Sequence, residues 1–80
     1  MQYQLERDLS SRVYTTFETA KIFRISQSTI LRLFDSGKIK GYKIPPICNH
    51  RRITHKSIVE FARENHLELL LDDYFGKGKY

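Results

Sequence analysis

Eighty residues carry 14 Lys and Arg against 9 Asp and Glu, a formal net charge of +5, and 40% of them are hydrophobic. A chain of this length makes one domain with a small core, which excludes a large enzyme built around a deep cleft. Four Gly, two Pro and a single Cys48 exclude collagen-like, low-complexity and disulfide-stapled chains. No apolar stretch reaches the about 18 residues of a membrane span, and the N-terminus lacks an apolar signal core, so the expected compartment is the cytoplasm.

The charge is concentrated. Between Lys21 and Lys56 stand nine basic residues and one acidic residue, Asp35, a net +8; the flanks hold five basic and eight acidic residues, a net −3. A basic centre between mildly acidic ends fits a polyanionic partner, and it also fits a merely solvated charged surface.

In chain order, residues 1–12 are polar and mixed and are expected to form a flexible extension. Thr15 and Thr16 are N-cap candidates for a first helix over 16–23; if Thr15 caps, Glu18 completes a capping box. Phe17, Ala20, Ile22 and Phe23 supply its apolar side. Ser26 caps a second helix, 26–36, whose Ile30, Leu33 and Phe34 face the core and whose Gly37 ends it. Gln27, Ser28, Leu31, Arg32 and Asp35 are left outside. Two short helices joined by a tight turn outline a helix-turn-helix, in which the second helix enters the DNA major groove.

Ile39, Tyr42 and Ile44 among Lys38, Lys40 and Lys43 read as a strand ended by Pro45-Pro46, and Arg51-Arg52-Ile53 as the returning strand of a basic hairpin. Thr54 caps a third helix over about 55–65, with Ile58, Phe61 and Ala62 inward. The apolar run Leu67–Phe75 either folds back over the core or docks on a protein partner, and 76–80 reads as a frayed tail. The fold class is mainly α with a small β-hairpin, three core helices and a wing; the domain spans 13–66 and a C-terminal segment spans 67–80.

The residues Tyr14-Thr15-Thr16, Ala20-Lys21, Ile25-Ser26-Gln27-Ser28-Thr29-Ile30, Gly37-Lys38-Ile39, Tyr42-Lys43-Ile44-Pro45 and His50-Arg51-Arg52-Ile53 follow one another in an order and spacing with a known counterpart. The stretch Tyr14–Leu67 resembles the winged helix-turn-helix of the MerR/excisionase superfamily, most closely its small BldC-like and response-regulator-associated members. Two features depart from that pattern. Pro45-Pro46-Ile47-Cys48-Asn49 replaces a glycine-rich wing tip, which implies a stiffer wing. Gln27 and Ser28 stand where many members carry Arg, and Leu33 or Phe34 fills the place of a Trp.

The resemblance implies double-stranded DNA as partner. Ser26, Ser28 and Thr29 hydroxyls at an outward helix N-terminus suit a phosphate, although Ser26 and Ser28 also serve as plain caps. Gln27 and Arg32 are long enough to read adenine and guanine edges, and Leu31 to touch a thymine methyl. Thr16, Lys38, Lys40, Tyr42, Lys43, His50, Arg51 and Arg52 make up the expected backbone-contacting set. Within it, one of Arg51 and Arg52 turns inward to pair with Asp35 or Glu60, and Tyr42 is weighted toward a half-buried core aromatic.

Cys48, His50 and His55 are candidate zinc ligands, but they lack a fourth partner and a CxxC pair, so no metal, cofactor or catalytic role is expected. The expected function is a small sequence-specific transcriptional regulator, with only about fourteen residues after the third helix, too few for a sensor domain. An excisionase role, an adaptor role through 67–75, and self-association or a cooperative array on DNA stand as alternatives. The nucleoid is the expected location, and no membrane is expected as partner.

Overall fold

The computed structural model describes residues 11–44 and 50–80. Expectations for residues 1–10 and for the Pro45–Asn49 tip, Cys48 included, lie outside the described residues. The order is β1 (Val13–Tyr14), α1 (Thr16–Phe23), α2 (Gln27–Asp35), β2 (Gly41–Ile44), β3 (His50–Thr54), α3 (His55–Glu64) and α4 (Glu68–Phe75). The strands form one antiparallel sheet in the order β1-β3-β2. The fold is thus mainly helical with a small sheet, a winged helix-turn-helix.

The capping residues start the helices where the sequence places them. The Thr15 hydroxyl accepts the Glu18 N–H at 3.0 Å and the Glu18 carboxylate accepts the Thr15 N–H at 2.9 Å, a complete capping box. Ser26 accepts the Thr29 N–H and Thr54 the Ser57 N–H, each at 3.2 Å. The inner face of α1 differs from the expected one. Thr16, Thr19, Ala20, Ile22 and Phe23 are buried, whereas Phe17 is 56% exposed. Burying Thr19 costs little because its hydroxyl donates to the Thr15 carbonyl at 2.9 Å. That lets the helix turn its threonine side inward and Phe17 outward.

The turn between α1 and α2 is three residues long. Arg24 takes a left-handed conformation, φ 58°, and its N–H and that of Ile25 both reach the Ala20 carbonyl. A non-glycine residue there costs about 1–2 kcal/mol, so the surrounding packing has to hold it. At the end of α2, Gly37 (φ 83°) closes a Schellman turn, with Lys38 N–H to Leu33 O at 2.8 Å and Gly37 N–H to Phe34 O at 3.0 Å. This turn delivers Ile39 into the core, so the strand starts at Gly41 rather than at Lys38.

In the hairpin, Gly41 lies opposite Ile53, Tyr42 opposite Arg52, Lys43 opposite Arg51 and Ile44 opposite His50. A Cβ at Gly41 would collide with the Arg52 carbonyl, so the strands approach as closely as they do only with glycine there. β1 pairs with the other edge of β3, Val13 to Thr54 and Tyr14 to Ile53. At two residues it is too short to leave a periodic signal in the sequence.

Tyr14, Ala20, Ile22, Phe23, Ile30, Ile39, Ile53, Ile58, Val59, Phe61, Ala62 and Leu71 form the core. Leu33 and Phe34 pack against it half-buried. α4 folds back on it through Leu67, Leu70, Leu71 and Phe75, the core-covering course of the two read for this run. The segment after α4 is not frayed: Gly78 N–H bonds the Asp72 carboxylate at 3.2 Å, and Tyr80 packs against Phe75.

One buried polar pair joins the edge strand β1 to the start of α3. The Tyr14 hydroxyl meets His55 Nδ1 at 2.8 Å, and the Phe75 ring sits edge-on to both. His55 Nε2 is buried without a partner among the described residues. Burial, and then the Arg12 guanidinium, hold the His55 imidazole below its ordinary pKa. The unfolded chain takes up this proton near the ordinary value of about 6.5, the folded chain only below it. Stability is therefore level above that value and falls as pH drops through it toward the folded-state pKa. Thermal unfolding between pH 7 and about 5 is expected to show this decline, and His55→Gln to flatten it; an equal slope in both proteins would contradict the assignment.

Candidate nucleic-acid interface

α2 buries Ile30 and presents Gln27, Ser28 and Arg32 to solvent, with Leu31 half-buried between them. At its N-terminus the Ser26 hydroxyl lies 3.2 Å from that of Ser28 and 2.8 Å from that of Thr29. Three hydroxyls therefore cluster at the first turn, the positive end of the helix dipole, where the Thr29 N–H is already taken by the Ser26 cap.

A concavity of about 470 Å³ opens between three elements. Thr15, Thr16 and Phe17 from the start of α1, Gln27 and Leu31 from α2, and His50, Arg51 and Arg52 from β3 line it. Six residues of the expected site, Thr16, Gln27, Leu31, His50, Arg51 and Arg52, thus meet at one place. Within it, Gln27 Nε2 donates to the Thr16 hydroxyl at 2.8 Å. Thr16 is buried, so its hydroxyl serves Gln27 rather than solvent. Gln27 is correspondingly held in place and presents its Oε1 as the atom not committed in that bond.

The two wing arginines divide as the strand alternation requires. Arg51 shares the inner face of β3 with Ile53. Its Nε and Nη2 reach the two Asp35 carboxylate oxygens at 3.2 and 3.3 Å, and its guanidinium lies over the Phe34 ring at 5.7 Å. Of the two partners weighed for the inward arginine, Asp35 is the one engaged. Arg52 belongs to the outer face, beside Tyr42, and donates to the Arg51 carbonyl at 3.1 Å. Tyr42 is 48% exposed on that outer face, not a core aromatic, because the Gly41–Ile53 pair takes the inward register.

The remaining cations separate. Lys38 and Lys40 border a second cavity, about 450 Å³, with Leu33, Phe61, Glu60 and Glu64 between α2 and α3. The Schellman turn at Gly37 aims this segment toward α3, so these lysines stand apart from the concavity at Gln27. Lys43 stays on the wing opposite Arg51. The two histidines of the candidate zinc set are also placed differently: His50 is exposed on the wing and His55 is buried against Tyr14.

Sequence reading missed Phe17 and Lys21. Phe17 lines the concavity, and the Lys21 ammonium lies 5.0 Å from its ring centre. Treating Thr16 and Thr19 as core-compatible would have revealed it, since Thr16, Thr19, Ala20 and Phe23 follow the i, i+3, i+4, i+7 rule and exclude position 17.

A short turn between two helices, an exposed second helix and a basic strand pair beside it define a helix-turn-helix protein of the DNA-binding class. A family model described as "Helix-turn-helix domain" matches residues 13–66, and the chain belongs to that family. No curated protein and no solved structure gives a significant match. Among the described residues, no helix is long and apolar enough to cross a membrane.

The Arg51–Asp35 pair fastens wing to helix. A double-mutant cycle in urea with Arg51→Ala and Asp35→Ala is expected to give a coupling of about 0.5–1 kcal/mol, modest because Asp35 is half in solvent. Strictly additive losses would contradict the link.

Proposed function

We propose that this protein is a sequence-specific double-stranded DNA-binding protein acting as a small transcriptional regulator, working where chromosomal DNA is held. The reading rests on one observation: α1, α2 and β3 surround a single concavity that gathers Gln27, Leu31 and the wing residues His50, Arg51 and Arg52. α2 enters the major groove, and the hairpin lies along the neighbouring backbone.

Arg32, exposed on α2, reads a guanine edge with two hydrogen bonds. Gln27, fixed by Thr16, reads through its carbonyl oxygen and accepts from an exocyclic amine. Ser26, Ser28 and Thr29, with the first N–H groups of α2, hold a phosphate. Arg52, Lys43, His50 and Tyr42 track the backbone from the wing, and Lys21 does so from α1. Arg51 sets the position of the hairpin, because its guanidinium is committed to Asp35.

Lys21, Arg32, Lys43 and Arg52 supply about four phosphate or groove charges, so log K against log salt should slope at about −3 to −4 on duplex DNA. Arg32→Ala is expected to reduce discrimination between sites, and Arg52→Ala to weaken all duplexes alike. Lys40→Ala, beside Glu60 and Glu64, should leave affinity within about twofold, since it removes no phosphate contact. A slope near zero removes the proposal. A Lys40→Ala loss as large as that of Arg52→Ala would move the interface to the α2–α3 side.

A further inference from the structure

We propose that Phe17 and Leu31 together form an apolar seat for the 5-methyl group of a thymine, making Phe17 a residue that determines sequence specificity. The proposal rests on the DNA-binding reading above. It goes beyond that reading in assigning a base to a side chain outside α2.

Phe17 stands near the start of α1, and more than half of its surface is exposed. Leu31 is half-buried, yet it is absent from the apolar residues that pack against the core. Both line the same concavity, one from each helix of the motif. Two apolar side chains therefore face a space that nothing else among the described residues fills.

The rim of that space says what fills it. Lys21 lies over the Phe17 ring, His50 and Arg52 close the β3 side beside the Asp35-paired Arg51, and among the described residues no carboxylate lines the concavity. A rim of this charge fits a polyanion. Of the groups that line the major groove of duplex DNA, the thymine methyl is the apolar one. Gln27 lines the same concavity, is fixed by its bond to Thr16, and so faces the same or the neighbouring base pair.

Deoxyuridine differs from thymidine by this methyl alone, so it isolates the contact. A duplex is selected from a random library with the wild-type protein, and each thymine in it is replaced in turn by deoxyuridine. Wild type is expected to lose about fourfold in affinity at one thymine position of each bound site, the worth of one buried methyl. Phe17→Ala should bind the thymine and uracil duplexes equally at that position, and Phe17→Leu should keep part of the difference. Leu31→Ala should also abolish it, which guards against a fault peculiar to one variant. Duplex binding with no thymine–uracil difference at any position overturns this proposal and leaves the DNA-binding reading standing. So does an equal loss on both duplexes in Phe17→Ala, which would mean a sugar or backbone contact. Failure of wild type to bind any duplex overturns both.

Discussion

β3 is held on every side, and the placement of the interface depends on it. Ile53 at its centre is fully buried, β1 and β2 bond its two edges, and Thr54 passes the chain without a loop into α3. Arg51, two residues before Ile53 and so on the same face, reaches the Asp35 carboxylate at the end of α2. The exposed half of the hairpin is thus an extension of a core strand, and its angle to α2 is set by the core. The individual contacts are small. The Arg51–Asp35 pair is partly solvated and contributes little alone, but it acts on a strand whose position is already fixed and selects one orientation of a long cationic side chain.

The same economy appears at the helix ends. Arg24, Gly37 and His66 all take left-handed conformations that close α1, α2 and α3, and only one of them is glycine. At His66 the Leu67 N–H reaches the Ala62 carbonyl at 2.7 Å and swings Leu67 onto the core. At Arg24 the side chain extends to Asp73 on α4 at 3.2 Å, an exposed pair, while Phe23 before it is buried. Tight turns without glycine persist where the flanking residues are held by burial. α4, which lies outside the matched 13–66 segment, supplies part of that support.

Much of the fold was legible because capping and burial leave marks one residue wide. Thr15 with Glu18, Ser26, Thr54 and Gly37 each act where their chemistry places them. The errors share a cause. Hydropathy alone turns Phe17 inward, because it does not register the local hydrogen bond that lets Thr19 be buried instead. The sequence pattern alone turns Tyr42 inward, whereas the register depends on which partner glycine permits, a property of two strands rather than one. The strand begins at Gly41 and not at Lys38, because the turn at Gly37 directs Lys38 and Lys40 toward α3. The pairing of Gln27 with Thr16 spans eleven residues and has no local signature.

The central claim is that the surface around Gln27, Leu31 and Arg52 faces the duplex. Amide chemical-shift mapping of isotopically labelled protein titrated with duplex DNA tests it most directly. The account predicts the largest changes at Thr16–Phe17, Gln27–Arg32 and His50–Arg52, with Glu60 and Glu64 unmoved. Changes centred on Lys38, Lys40, Glu60 and Glu64, or on the outer side of α4 at Leu69 and Tyr74, would contradict it.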